Sequence, residues 1–271
     1  MSFSVYQILW FFFVYSCLGW CMEVVFHTVT TGEWVNRGFL NGPLCPIYGC
    51  GMVIVLLVLW PLRHHILLLF LGSVLLTSTL ELITGWVLKT LFHTVWWDYS
   101  RERFNLGGYI CLRFSVAWGV VGVGAVLLLH PPIQALIDLI PLTLGWALLG
   151  IFSLVLLVDG IVTLVTLIGI QKYLGEIQHI SQLLRRGSDA ISRGLSDVTL
   201  AADERLEEGR QALPLKVAEL QIRRDFLMAQ LTDTRLFRAG RLLKAFPHMR
   251  SVRYGQVLTE LKKRLQNTLH R

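Results

Sequence analysis

Apolar runs in the first 171 residues constrain the fold of this chain more than any other feature. A bilayer core of about 30 Å is crossed by roughly 20 mostly apolar helical residues. The polar residues between the runs are too few to cover a soluble domain, so the sequence predicts an all-α, polytopic membrane helical bundle with about five transmembrane helices. The predicted spans are residues 3–26, 45–61, 66–92, 107–129 and 142–170.

The charge of the chain is concentrated in its last hundred residues. Residues 1–171 carry six Lys/Arg and seven Asp/Glu, whereas residues 172–271 carry 19 and 11. We therefore expect a transmembrane domain over residues 1–171 and a basic, helical cytoplasmic tail over residues 172–271. A solvated helical region beside anionic lipid accounts for this charge. No nucleic-acid-binding motif accompanies it, so we expect no nucleic-acid partner.

The distribution of Lys and Arg in the short loops predicts the orientation. With the N-terminus outside, the predicted outer loops carry only Arg63. The opposite side then carries five basic residues, namely Arg37, Lys89, Arg101, Arg103 and Arg113. We expect a multi-pass protein of the plasma membrane with its N-terminus outside and its tail in the cytoplasm.

Both predicted inner loops combine Gly and Pro with polar and aromatic residues. Residues 36–49 and 96–112 have a density of Gly, Pro, Asn and aromatic residues that a plain linker does not need. Such loops suit a polar pocket at the membrane surface. They equally suit an interfacial aromatic belt with satisfied turns.

Three carboxylates, Glu23, Glu81 and Asp159, lie within the predicted spans. An ionised side chain in the bilayer costs a few kcal/mol or more unless it is paired or hydrated. All three fall in the inner half, so we expect one water-filled cavity that opens to the cytoplasm. The alternative is that each charge is neutralised separately. The candidate ligand-binding residues are Glu23, Asn36, Arg37, Glu81, Asp98, Asn105, Arg113 and Asp159.

A weak internal repeat fits this arrangement. Helices one and two would form a hairpin with a carboxylate on the first helix and an Asn-Gly loop that begins at Asn36. Helices three and four repeat the plan with Glu81 and a loop that contains Asn105. Parallel repeats place equivalent groups about an axis along the membrane normal. Chance similarity between two Gly-rich loops is the alternative.

Motifs for several catalytic classes are missing from the sequence. It contains no phosphate-binding Gly-x-x-x-x-Gly-Lys-[Ser/Thr] loop, so the sequence gives no basis for calling the chain an ATPase. It also lacks His-Glu-x-x-His and Gly-x-Ser-x-Gly. The five cysteines include no Cys-x-x-Cys, and packed free thiols explain them better than a metal site or a disulfide. We expect no cofactor and no metal.

The tail reads as a set of helices with expected breaks near Gly187, Gly194 and Pro214. From Leu213 an apolar stripe recurs every three or four residues, at Val217, Leu220, Leu227 and Leu231, and only Arg224 interrupts it. The stripe predicts a helical hairpin or a short coiled coil, used internally, for self-association or for a partner helix.

Several stretches carry a family resemblance. They are Phe13–Trp20 with Glu23, residues 36–49, Glu81 with residues 84–85, residues 97–100, 104–105 and 108–112, and residues 241–247. On these motifs the chain resembles the CmpB-like type IV ABC-transporter permeases, a mostly bacterial family of integral membrane proteins. The resemblance implies a permease subunit in a bacterial inner membrane, with the nucleotide-binding partner as a separate ATPase chain. It implies no substrate.

Three functions are compatible with the sequence. The first is a transport component in which the inner-half acids and Arg113 bind a solute. The second is a membrane-embedded enzyme that uses Glu23, Glu81 and Asp98 as acid and base groups on a lipid-like substrate. The third is a scaffold whose tail recruits partners. We favour transport and regard enzymatic activity as the less favoured reading.

Overall fold

The computed structural model describes residues 3–196, 204–233 and 239–269. Almost all of the regular structure is helical. The helices are α1 (Val5–Thr31), α2 (Pro46–Leu59), α3 (Ile66–Phe92), α4 (Leu112–Gly124), α5 (His130–Asp138), α6 (Leu142–Ser196), α7 (Glu204–Thr232), α8 (Ala239–Ala245) and α9 (Gly255–Leu269). The strands have two residues each: β1 (Thr94–Val95), β2 (Asn105–Leu106), β3 (Ile110–Cys111) and β4 (Arg250–Ser251).

The described residues include four helices that are long and apolar enough to cross a membrane. They are Val5–Thr31, Ile66–Phe92, Leu112–Asp138 and Leu142–Gly187, and a shorter apolar helix runs over Pro46–Leu62. The predicted all-α membrane bundle is confirmed. The second predicted span is the short one, and its last turn is a 3-10 helix over Trp60–Leu62.

The ends of α1 follow from local chemistry. Ser4 caps its N-terminus, and the Ser4 hydroxyl accepts a hydrogen bond from the Gln7 amide at 3.2 Å. The Gln7 side chain in turn accepts from the Ser4 amide at 3.1 Å, which completes a capping box. The helix ends where Gly32 adopts a left-handed φ of 75°, a conformation that glycine tolerates without strain. It therefore extends five residues past the predicted end at residue 26.

The fourth span does not end at Leu129 as predicted. A π-helical segment, Ala125–Leu129, connects α4 to α5 without interruption. Pro131 and Pro132 lie in the first turn of α5. Proline has no amide hydrogen for an ordinary α-helical bond, and the wider π segment just before it lets the helix continue.

The helices of the membrane part pack around a common apolar core. Its fully buried members include Phe11 of α1, Leu56 of α2, Leu69 of α3 and Val126 of the π segment. His130 is also fully buried, with its Nδ1 atom 3.3 Å from the Tyr15 hydroxyl. This core holds α1 to α5 together at the end of the bundle that contains the N-terminus of α1.

The helix that contains the fifth predicted span continues past residue 170, because α6 runs to Ser196. It passes through Gly187 and Gly194 without a break, so both predicted breaks are wrong. Glycine inside a helix costs only about 1 kcal/mol relative to alanine, which burial of a helix face offsets. The buried face of this extension consists of Ile170, Leu174, Ile177 and Ile180.

The chain forms two compact units. The first contains Met1–Val165 together with Lys244–Arg250, and the second contains Thr166–Leu243 and Ser251–Arg271. The segment Lys244–Arg250, which the sequence places in the tail, thus packs with the membrane part. We call this segment the C-terminal strap.

The second unit is a helical bundle in which the apolar stripe of α7 is used internally. Leu227 and Leu231 are buried, as is Leu261 of α9. Arg224, which interrupts the stripe, binds Glu260 of α9 with oxygen distances of 2.5 and 2.6 Å. Helix α7 also runs through Pro214, so the predicted break there is wrong. The predicted stripe begins at Leu213, whose side chain lies outside the part of the chain that the structure describes.

Candidate functional site

A cavity of about 990 Å³ lies in the first unit. Its longest walls are one face each of α3 and α6, as the three- and four-residue spacing of the lining positions shows. The α3 wall consists of Thr77, Leu80, Glu81, Thr84 and Leu88. The α6 wall consists of Ser153, Leu156, Leu157, Gly160, Ile161 and Leu164. Most of this wall is apolar.

Polar groups reach the cavity from the loops and the neighbouring helices. Glu23 comes from α1 and Tyr48 from α2. The loop between α1 and α2 contributes Arg37, and residues 96–99 of the next loop line another side. Phe246, Pro247 and His248 of the C-terminal strap complete the wall. One pocket therefore combines an apolar body with polar groups supplied by the two Gly-rich loops.

The structure brings together four of the eight candidate residues. Glu23, Arg37, Glu81 and Asp98 all line the cavity. Four candidates lie outside its lining: Asn36, Asn105, Arg113 and Asp159. The structure thus groups a smaller set of residues around the cavity than the eight candidates. A ligand-binding role for that set is a prediction.

Glu23 is held by two neighbours. The Tyr48 hydroxyl donates a short hydrogen bond to its Oε1 atom, and the Arg37 Nε lies 3.9 Å from its Oε2 atom. The Tyr48 ring packs against Gly19 so closely that any Cβ at Gly19 would overlap it. On another side, the ring meets Trp118 at a centroid distance of 5.5 Å. Glu23 is thus a positioned, internally paired carboxylate.

Glu81 is less completely satisfied. Its Oε1 atom accepts a hydrogen bond from the Tyr99 hydroxyl at 3.1 Å. Its Oε2 atom is buried and, within the described part of the chain, has no hydrogen-bond partner. The Tyr99 ring stacks on Phe114 at 4.8 Å. Burial, followed by the nearby Glu81 charge, raises the pKa of Tyr99 well above its usual value, so this hydroxyl stays protonated and donates.

Asp98 connects the second loop to the C-terminal strap. Its Oδ1 atom accepts from the Ser100 amide at 3.0 Å, and its Oδ2 atom forms an ion pair with Arg250. Burial acts to raise the pKa of Asp98, but the hydrogen bonds from Ser100 and the charge of Arg250 outweigh it and lower the pKa. The carboxylate is therefore ionised and paired near neutral pH.

The strap makes four further contacts with the loops. Arg37 donates a hydrogen bond to the carbonyl oxygen of Ala245, and its guanidinium lies 5.6 Å from the centre of the Phe246 ring. Phe246 meets Trp96 edge to face at 4.9 Å. Lys244 lies 3.3 Å from the carboxylate of Glu33. The strap thus closes one side of the cavity with an aromatic side chain fixed by charged contacts.

Asp159 fastens the first loop to α6. Its carboxylate accepts hydrogen bonds from the backbone amides of Asn41 and Gly42, at 3.1 and 2.7 Å, and from the Asn41 side chain at 2.8 Å. The Thr163 hydroxyl lies 3.4 Å away. Hydrogen-bond donors of the first loop satisfy this carboxylate. Asp159 therefore binds the loop and does not line the cavity.

Asn36 and Asn105 brace their own loops. The Asn36 side chain accepts from Trp20 at 2.7 Å and donates to the Asn41 carbonyl at 2.8 Å. Asn105 donates to the Glu102 carbonyl at 2.8 Å and accepts from the Gly108 amide at 3.2 Å. Arg113 is exposed, 5.8 Å from the centre of the Phe114 ring. None of the three contributes a group to the cavity wall.

The two helical hairpins therefore share two features. In each, a loop asparagine fixes the backbone turns, and in each a helix carboxylate accepts a tyrosine hydroxyl, Tyr48 to Glu23 and Tyr99 to Glu81. The order along the chain differs, because Tyr48 follows Asn36 whereas Tyr99 precedes Asn105, so the internal repeat stays a prediction.

Several cavity residues were not among the candidates. Tyr48, Trp97 and Tyr99 lie within the Gly- and Pro-rich motifs, and their aromatic density was the available signal. Ser153 and Gly160 are spaced seven residues apart on α6, so a stripe of small residues in an apolar span was the corresponding signal there. His248 gave no local signal, because its contribution depends on how the strap packs.

Comparison with known proteins agrees with the helical membrane architecture. The sequence profile of a family described as "Putative ABC-transporter type IV" matches residues 10–164, more than half of the 271-residue chain. The match includes both Gly-rich loops and all of the cavity wall except the strap. No solved structure matches the chain.

Proposed function

Because the chain belongs to this ABC-transporter family, we propose that it is a permease subunit whose solute site is the cavity between α3 and α6. One observation carries the proposal: the Oε2 atom of Glu81 is buried in the wall of a large cavity and lacks a hydrogen-bond partner among the described residues. It is a transport-related membrane protein, and the buried Glu81 oxygen supports the cavity as its solute site.

Energetics supports a ligand at this position. A buried polar atom without a partner costs about 1–3 kcal/mol, and more when the group is charged. Other carboxylates near the cavity do not carry this cost, because Glu23 is bound by Tyr48 and Asp98 by Arg250. A solute or a water molecule that binds Glu81 would recover it. Large pockets with a few convergent polar groups are typical of small-molecule sites.

The proposed topology places the loop side of the cavity in the cytoplasm. The N-terminus lies outside in this arrangement, because the loops that bear Arg37, Arg101 and Arg103 then face the cytoplasm. Energy for transport comes from a separate ATPase chain, since this chain has no phosphate-binding loop. The basic tail, residues 172–271, is proposed to be cytoplasmic as well, where an ATPase partner would bind.

The test compares two tryptophan substitutions on the same helix. Gly160 lies in the cavity wall and Gly150 does not, and a Cβ at either position meets no atom within 4 Å. Gly160→Trp should therefore obstruct part of the cavity without disturbing the backbone, and Gly150→Trp is its matched control. Each full chain is purified with any co-purifying ATPase and reconstituted into liposomes with a metabolite extract from its own cells. Mass spectrometry then follows the solutes that ATP addition moves.

We expect the wild type and Gly150→Trp to move the same solute when ATP is added, and Gly160→Trp to move none. Equal movement by Gly160→Trp would contradict the proposed path. ATP-independent chemical conversion of lipid would instead support the enzyme, and an effect confined to deletion of residues 172–271 would support the scaffold.

A further inference from the structure

We propose that the cavity takes an amphipathic cation, with a positively charged group at Glu81 and an apolar body between α3 and α6. This inference rests on the proposed function, because it names the class of solute for the same site.

The charges around the cavity lead to this assignment. Five carboxylate, guanidinium or imidazole side chains line the wall: Glu23, Arg37, Glu81, Asp98 and His248. The cationic Arg37 lies 3.9 Å from Glu23 and also contacts the strap. Asp98 is paired with Arg250. Among the described residues no basic side chain lies within 4.0 Å of Glu81, so one carboxylate is left without a countercharge.

The geometry at Glu81 favours a cationic donor over other ligands. Tyr99 already occupies the Oε1 atom, and the open Oε2 atom is an acceptor when the carboxylate is ionised. Hydrogen bonds between an ionised donor and a carboxylate are about twice as strong as neutral ones. An anionic ligand would meet Glu81 as a like charge and be repelled. A cation therefore has the greatest electrostatic gain at this position.

The rest of the wall selects an apolar body. Leu80 and Leu88 of α3 line the cavity together with Leu156 and Ile161 of α6. Trp96, Trp97 and Trp118 add three indole rings to the lining. Indole faces attract cations as well as apolar groups, which suits a molecule in which the charge and the apolar part are joined. A small hydrated ion would leave most of this wall in contact with water.

The volume sets the scale of the ligand. Small-molecule pockets span roughly 300–1,000 Å³. At about 990 Å³ the cavity is at the upper end of that range. A drug-sized cation or a short single-chain amine fits, whereas a metal ion fills a negligible share.

The experiment uses two probes of the same shape and opposite charge. Tetraphenylphosphonium and tetraphenylborate each place one charge inside four phenyl rings. Binding of each probe to the full chain in lipid nanodiscs is measured by equilibrium dialysis, with empty nanodiscs as the background. The variants are Glu81→Gln, which removes the charge with little change in shape, and Asp138→Asn. Asp138 is an exposed carboxylate outside the cavity wall.

We expect the wild type and Asp138→Asn to bind tetraphenylphosphonium equally and at least tenfold more tightly than Glu81→Gln. Tetraphenylborate should not bind above background. The inference is overturned if Glu81→Gln binds the cation as tightly as the wild type, if the borate binds equally well, or if the wild type binds no cation. Such results would not contradict the permease proposal. If Gly160→Trp still blocked flux, the transported solute would be neutral or anionic and would use the same cavity.

Discussion

The fastening of the first loop by Asp159 gives a quantitative prediction. The carboxylate accepts two backbone amides and the Asn41 side chain at 2.7–3.1 Å. Hydrogen bonds to a charged group are worth about 1.5–3 kcal/mol each, and water recovers part of this at a half-buried site. We expect Asp159→Ala to lower the free energy of loop opening by about 3 kcal/mol, which is roughly a 150-fold change in the opening equilibrium. Asp159→Asn keeps one acceptor oxygen and should cost less, with about a tenfold change.

Cys45 reports this opening. It lies three residues after Gly42 and is only 6% exposed, so a thiol reagent reaches it when the loop opens. The parent protein carries Cys45 as its sole cysteine, with the four remaining cysteines, Cys17, Cys21, Cys50 and Cys111, replaced by alanine. The rate of Cys45 labelling is measured in nanodiscs at constant pH and reagent concentration. The labelling rate should rise in proportion to the opening equilibrium.

Asp138→Ala serves as the control, because Asp138 bonds Gln7 at 3.2 Å and does not contact the loop. Its labelling rate should equal that of the parent. If Asp159→Ala labels within twofold of the parent, the carboxylate does not hold the loop, and the reasoning from the hydrogen-bond geometry is refuted.

Three further predictions concern the C-terminal strap and the topology. Phe246→Ala removes a half-buried ring and should lower the free energy of strap opening by about 2 kcal/mol. Amide exchange in residues 244–250 should therefore accelerate about 30-fold, and an unchanged rate would contradict the packing of the ring. Because its pKa is lowered in the fold, Asp98 stabilises the strap fully above its ordinary pKa and progressively less as pH falls through the lowered value. Protection of the strap, corrected for intrinsic exchange, should therefore decrease below about pH 4, and Asp98→Asn should abolish that dependence. Single cysteines at Arg63 and Arg101 should react with an impermeant reagent from outside and from the cytoplasm, respectively; the reverse pattern would overturn the proposed orientation.

Much of the architecture could be predicted because a bilayer imposes a length requirement on apolar helices. The third span agrees with the structure at both ends, Ile66 and Phe92. The errors occur where a residue that usually ends a helix does not. Pro131 is accommodated by the π segment, and Gly187 by burial of the helix face that follows the fifth span. Hydropathy reports neither effect, since both depend on neighbouring helices.

The site was only partly predictable for a related reason. Depth in the membrane correctly grouped Glu23 with Glu81, because a costly charge must face something other than lipid. Depth does not show whether a charged side chain faces a cavity or a loop. Asp159 was therefore grouped with Glu23 and Glu81, although it binds Asn41 of the first loop. The strap is the largest omission. Arg37 and Ala245 are 208 positions apart in the chain, and no local pattern predicts such a contact.

Occupancy of the cavity tests the central claim most directly. The full chain in nanodiscs is incubated with a combined aqueous and lipid extract of its own cells, repurified, and analysed by mass spectrometry for retained small molecules. We expect the wild type and Gly150→Trp to retain the same molecule, and Gly160→Trp and Glu81→Gln to lose it. If all four proteins carry the same molecules in the same amounts, the cavity is not a solute site.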